Sequence, residues 1–213
     1  MTGRRSLLRR RVARWGRVVR NGITDLRFGR PLGLTYLRDA RKSNSDYRVL
    51  RSIFDGRLHP GDVLVDVGCG GGRVINCWLG MGFTGQIYGL EADRRLARSA
   101  EHRLRGRANV EIRHGDAVDT LPDDATVLFL FNPFDAATME RFAARITSDL
   151  SGDLTILYLN CKHLEPFLRR AEFHVDLTDP GGAASEAGHR LAVITRSRGS
   201  APEQVPGHTD PVG

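Results

Sequence analysis

The amino-acid sequence predicts a doubly wound α/β fold, a mostly parallel sheet with helices on both faces. Three observations predict it. Short apolar, β-branched runs alternate with stretches of helical periodicity from residue 63 to residue 168, the pattern of strands joined by crossover helices. The run 126–131 is apolar almost throughout, as a central strand covered on both faces requires. Two late runs, 172–177 and 190–196, are joined by a glycine-rich stretch without helical pattern, which adds an antiparallel edge.

The elements follow in order. Residues 1–27 carry Leu8, Val12, Trp15, Val19, Ile23 and Leu26 at spacings of three and four, one stripe of an amphipathic helix. Gly16 and Gly22 weaken it by about 1 kcal/mol each relative to alanine, and Gly29-Arg30-Pro31 breaks it. A second helix after Ser45 sets Tyr47, Leu50 and Phe54 on one face and ends near Gly56, before the turn His59-Pro60-Gly61. Strands are expected at 63–67, 86–90, 110–113, 126–131 and 154–159. Helices are expected after the glycines (Val74, Ile75, Trp78, Leu79), over 93–105 and over 136–149, and a short one with Leu164, Phe167 and Leu168. From Ser197 the chain has little apolar content and is expected to be disordered. The division is therefore 1–30 as an N-terminal arm, 31–196 as one catalytic domain and 197–213 as a tail.

Charge separates arm from body. Residues 1–30 hold ten arginines against a single acid, Asp25, so the arm carries +9; with a net charge of +7 for the chain, the remainder is −2. Cys69, Cys77 and Cys161 lie far apart, without metal-ligand spacing or disulfide density, so no metal site is expected and a reducing, cytoplasmic setting is. No apolar run approaches the roughly 18 residues a bilayer span needs.

The sharpest local signal is Asp66-Val67-Gly68-Cys69-Gly70-Gly71-Gly72, at the end of the first strand and the start of a helix. Ligands of open α/β sheets bind beyond the carboxyl ends of the strands. Glycines there permit a tight turn and a close approach of backbone to ligand. Glu91 follows the second strand, 19 residues after Gly72, where a carboxylate can accept ribose hydroxyls. Asp116 follows the third strand in His114-Gly115-Asp116-Ala117, where a side chain can meet an adenine amine. The dinucleotide fingerprint Gly-x-Gly-x-x-Gly/Ala does not fit: its sixth position is Arg73 counted from Gly68 and Ile75 counted from Gly70.

With these residues the chain resembles the class I, Rossmann-like S-adenosylmethionine-dependent methyltransferases. Residues 66–72 match their acidic-x-Gly-x-Gly-x-Gly motif, and the resemblance runs over about residues 60–196. It implies a seven-stranded sheet whose last strand is antiparallel. It also implies S-adenosyl-L-methionine as cofactor, with Gly68, Cys69, Gly70 and Gly72 beside its methionine part. Asp66 would orient the amino-acid group, Glu91 would hold the ribose, and Asp116 with Ala117 would hold the adenine. The block 65–73 and the preceding Tyr47-bearing helix are also similar to the non-SET histone-lysine methyltransferases and their small bacterial relatives.

The fourth strand runs into Asn132-Pro133-Phe134, where a methyl acceptor would meet the sulfonium. Many amine methyltransferases carry Asn or Asp, two prolines and an aromatic residue here; this segment is similar but one proline short. By that resemblance Asn132, Pro133 and Phe134 are the catalytic set for an amine of a small molecule or protein. The bland alternative is a turn capping the next helix, with Phe134 packed inward. The segment departs from the histone enzymes' acceptor loop, so a histone substrate does not follow. Asp135, Asn160 and His163 are read as surface or capping residues. A non-catalytic binding protein that keeps the fold is the competing function. The arginine arm admits three readings: an anionic membrane surface, which would make the protein peripheral there, a nucleic acid, or packing of the apolar stripe on the body.

Overall fold

The computed structural model describes residues 2–28 and 45–197, with side chains from Trp15 onward except that of Ala183. The expected break at Gly29-Arg30-Pro31 and the tail 198–213 lie outside the described residues. Seven strands form one sheet: β1 (Leu64–Val67), β2 (Ile87–Glu91), β3 (Val110–His114), β4 (Val127–Phe131), β5 (Leu154–Leu159), β6 (His174–Thr178) and β7 (Leu191–Arg196). Their order is β3-β2-β1-β4-β5-β7-β6. The first five are mutually parallel, and β7 is antiparallel to both β5 and β6. The reversed strand therefore lies inside the sheet, with β6 as the outer edge.

The described residues also form eight helices: α1 (Thr2–Arg27), α2 (Tyr47–Phe54), α3 (Arg73–Gly80), α4 (Arg94–Leu104), α5 (Ala117–Thr120), α6 (Ala136–Asp149), α7 (Glu165–Leu168) and α8 (Gly182–Glu186). Alternation along the strands sends side chains to two cores. From β1 and β4, Val65, Val67, Leu128 and Leu130 enter the layer under α6 with Met139, Phe142 and Ile146. Leu64, Val127 and Phe129 enter the opposite layer with Phe54 of α2, Ile75 and Trp78 of α3 and Leu104 of α4. Both faces of the central strands are thus covered, which is why 126–131 reads as continuously apolar.

Four features of the structure correct or add to the sequence reading. The link between β6 and β7 is not helix-free, because it contains α8. Asp179 starts that turn by accepting from Gly181 N–H at 2.7 Å and from Ser185 Oγ at 3.0 Å. Asp116 likewise nucleates α5, a helix of four residues that has too little periodicity to read in sequence. Leu168 is exposed while Phe167 is fully buried, since α7 is one turn long and offers only one side to the core.

The fourth feature concerns the arm. The helix forms as expected, but its described apolar stripe does not pack on the body: Trp15, Val19, Ile23 and Leu26 are all exposed. Its polar side is what docks. Asn21 Nδ2 donates to Asp46 Oδ2 at 3.4 Å, Tyr47 N–H donates to Asn21 Oδ1 at 3.3 Å, and Arg17 pairs with Glu186 of α8 at 3.2 Å. No helix among the described residues is long and apolar enough to cross a membrane.

Candidate active site

The carboxyl ends of the parallel strands collect the residues that the sequence singles out. β1 ends at Asp66-Val67, and the loop beyond it is latched to β2 by Gly68 N–H and Cys69 N–H, both donating to Leu90 O at 2.9 Å. Gly70 has φ +52° and Gly72 has φ +73°. These left-handed conformations are open to glycine without the strain an L side chain would meet. At Gly72 there is a second constraint, since a Cβ would stand 2.8 Å from an Arg103 guanidinium nitrogen.

Glu91, at the end of β2, ties this loop to the next helix. Its Oε2 accepts from Gly70 N–H at 2.7 Å and its Oε1 from Asp93 N–H at 2.8 Å. Asp93 in turn caps α4, accepting from Arg95 and Leu96 N–H. Asp66 lies behind the loop, buried, and its Oδ2 has no hydrogen-bond partner among the described residues. Burial, and secondarily the charge of Glu91, push its carboxyl well above the ordinary carboxylate range. Cys69 is buried as well; burial, with Asp66 and Glu91 beside it, raises its thiol and keeps it protonated.

Asp116 sits after β3 as the N-cap of α5, accepting from Val118 N–H at 3.0 Å, with Arg141 at 3.5 Å. Ala117 behind it is buried. Asn132, Pro133 and Phe134 leave the end of β4, adjacent to β1 in the sheet. A Cβ on Gly68 would be 3.4 Å from Pro133 Cβ, so the two loops are in van der Waals reach. Asn132 has φ +44°, a conformation that asparagine tolerates better than most residues. Phe134 is half-buried, its ring 5.0 Å from that of Phe142 in α6. Asp135 is a helix cap, and the Thr138 N–H that it accepts holds its carboxyl below the ordinary value.

Sequence reasoning missed two sets of residues here. Tyr158 of β5 is buried, and its hydroxyl donates to Asn132 Oδ1 at 3.1 Å while accepting from His163 N–H at 3.3 Å. Burial pushes this phenol up to about 12, so it stays a proton donor. In sequence Tyr158 is one more apolar residue of a central strand.

The second set joins the arm to the glycine loop. Asp25 of α1 pairs with Arg73, the first residue of α3, and accepts from Tyr47 Oη at 2.8 Å. Asn76 Nδ2 donates to Tyr47 Oη at 3.3 Å, and Asn76 Oδ1 accepts from Arg103 Nη1 at 2.8 Å. Arg103 also donates to Gly71 O at 2.8 Å and to Phe28 O at 3.1 Å. The available signal was Asp25 itself, the one acid among ten arginines.

Residues 65–146 match the model of the methyltransferase domain family. Solved structures share the fold at low identity. A methyltransferase of Haloferax volcanii, in complex with the Trm112 methyltransferase activator, is 16% identical, with 71% of this chain and 89% of that chain covered and a TM-score of 0.57. An RNA methyltransferase from Salinibacter ruber, in complex with S-adenosyl-L-homocysteine, is 19% identical, with 76% and 97% covered and a TM-score of 0.56. A precorrin-6y C5,15-methyltransferase from Geobacter metallireducens is 16% identical, with 75% and 93% covered and a TM-score of 0.54. No curated protein matches the chain.

The fold and the matched segment define the class: a Rossmann-like, S-adenosylmethionine-dependent methyltransferase. Residues 65–146 are a methyltransferase domain, and its methyl donor is S-adenosylmethionine.

Proposed function

We propose that this chain methylates an amine nitrogen of a small molecule or a protein, with residues 31–196 as the methyltransferase domain and residues 1–30 as its basic arm. The observation that carries the reading is the contact between the glycine loop at Gly68 and the Asn132-Pro133 segment, at neighbouring strand ends. This proximity supports reading the two as donor loop and acceptor loop.

The residues fit the donor. An ammonium group would supply the missing partner of Asp66 Oδ2 and stabilise its charged form. Gly68, Cys69, Gly70 and Gly72 offer backbone to the methionine part, Glu91 accepts the ribose hydroxyls, and Asp116 with Ala117 borders the adenine. When bound, S-adenosylmethionine would supply a sulfonium methyl for in-line attack by the acceptor's lone pair, with the thioether as leaving group. Asn132 Oδ1 has two lone pairs, one engaged by Tyr158 and one left to accept from the amine. Phe134, anchored on Phe142, forms the aromatic wall. Orientation of this kind can lower a barrier by up to about 7–11 kcal/mol in well-aligned intramolecular cases. No strong base is required when the acceptor arrives as a neutral amine, whose proton passes to solvent after transfer.

The block 65–73 and the Tyr47-bearing helix support a place beside the small bacterial relatives of the non-SET histone-lysine methyltransferases. The arm's excess of arginine supports contact with an anionic surface, membrane or nucleic acid.

The test is transfer of a labelled methyl group from S-adenosylmethionine to a cell extract separated into protein, RNA, lipid and small-molecule fractions. Base-stable label in the protein or small-molecule fraction is expected. Label confined to RNA or lipid, label released by mild base as from an ester, or no transfer would contradict the reading. Tyr158→Phe should lower kcat about fivefold to tenfold with KM little changed, the loss of one hydrogen bond of about 1 kcal/mol that orients Asn132. An equal rate would show that Asn132 needs no such orientation.

Asp66 sets a pH dependence. Its folded-state pKa lies above the unfolded value of about 3.9, so the folded chain holds more protons. Its contribution to stability is therefore full below the unfolded pKa and is lost as pH rises through the raised value. Asp66→Asn should remove this slope, read as the difference between the two urea midpoints across pH, and should also weaken S-adenosylmethionine binding. Parallel midpoint curves would contradict the assignment.

A further inference from the structure

We infer that α1 is an in-plane membrane-binding helix, and that its occupant is an anionic lipid surface. The inference commits the arm to one of the anionic surfaces named above and does not depend on methyl transfer. At about 100° per residue, Trp15, Val19, Ile23 and Leu26 fall on one face of the helix. They are 61%, 56%, 50% and 52% exposed, although each is a large apolar side chain. The same spacing continues backward in the sequence to Val12 and Leu8.

The orientation is not that of a loosely attached arm. The far side of the helix is held by Asp25 on Arg73 and Tyr47, by Asn21 on Asp46 and Tyr47, and by Arg17 on Glu186. Those polar contacts fix the helix with its apolar stripe outward, a direction that packing of the chain on itself would not choose.

Charge decides what covers the stripe. Arg20 and Arg27 are exposed beside it, and the arm's only acid is buried in an ion pair with Arg73. By sequence, arginines are the only other charged residues of 1–30. A second copy of this helix would bring two such rows together, and like charges oppose that. A nucleic acid would meet the arginines but leave the apolar stripe in water. An anionic bilayer takes both: the stripe enters the headgroup–acyl boundary, Trp15 suits that boundary, and the arginines meet phosphates.

The experiment is co-sedimentation of the full chain with vesicles of phosphatidylcholine containing 30% phosphatidylglycerol, compared with pure phosphatidylcholine. At least tenfold stronger partition to the anionic vesicles is expected, falling as salt is raised. The triple variant Trp15→Ser, Val19→Ser, Ile23→Ser should lose at least tenfold in partition while its thermal midpoint and S-adenosylmethionine affinity stay unchanged, because the body-facing contacts are intact. Equal binding to both vesicles, no binding, or full binding by the triple variant would overturn the inference. So would a dimer in sedimentation equilibrium, or an RNA oligonucleotide complex, that the triple variant abolishes.

Discussion

Replacing Glu91 by alanine is expected to weaken S-adenosylmethionine binding about 100-fold or more. The carboxylate is placed to do two things at once. It accepts from Gly70 N–H and Asp93 N–H, joining the glycine loop to the start of α4. In the function proposed above it also accepts the ribose hydroxyls of the donor. A hydrogen bond to a charged group contributes about 1.5–3 kcal/mol. Loss of about 3 kcal/mol is roughly 100-fold in a dissociation constant. Glu91→Gln keeps an acceptor oxygen and should fall between wild type and Glu91→Ala. Isothermal titration reads both, and an affinity for Glu91→Ala within threefold of wild type would contradict the placement.

The second large effect is on stability. Asp25→Ala is expected to destabilise the fold by about 3–5 kcal/mol, because Arg73 then stays buried without its counter-charge. The pair is well shielded, with 12% of the Arg73 side chain and 6% of the Asp25 side chain exposed. Tyr47 loses its acceptor in the same step, and through Asn76 and Arg103 the loss reaches the Gly71 carbonyl. Asp25→Ala should therefore also weaken the donor site, without touching any residue that borders it. Combining Asp25→Leu with Arg73→Met should recover much of the stability, since replacing both partners of a buried pair with apolar groups is often close to neutral. Urea denaturation of the two variants checks this. A double variant no better than Asp25→Ala would mean that the pair matters through more than its charge.

How much of this was legible in the sequence depended on which physical signal each part leaves. β5 and α6 appear over 154–159 and 136–149, the limits that their periodicity predicts, because each has a full apolar pattern and a clear boundary. The turn after Asp66 and the strand-end positions of Glu91 and Asp116 were legible, because glycine at Gly70 and Gly72 is dictated by backbone conformation and the strands can be counted; their role in holding the donor is the proposal. The short helices α5 and α8 were not legible: their turns depend on one aspartate each, Asp116 and Asp179, and not on an apolar stripe. The orientation of α1 was hidden for a related reason. Its stripe alone leaves packing on the body and contact with an outside surface both open, and Asp25 gives no hint of Arg73 until the fold brings them together across 48 positions. Tyr158 was hidden in the same way, as its apolar ring accounts for its place in β5 and its hydroxyl has a purpose only beside Asn132.

We propose that the loop after Asp66, with Glu91 beside it, is the donor site. Isothermal titration of the purified full chain with S-adenosylmethionine tests it most directly. One site per chain is expected, with a dissociation constant of order micromolar to tens of micromolar, and Gly70→Arg should abolish binding. At φ +52° an L side chain on Gly70 would be strained, and the Gly70 N–H donates to Glu91. Absence of binding by the wild type, or unchanged binding by Gly70→Arg, would contradict it.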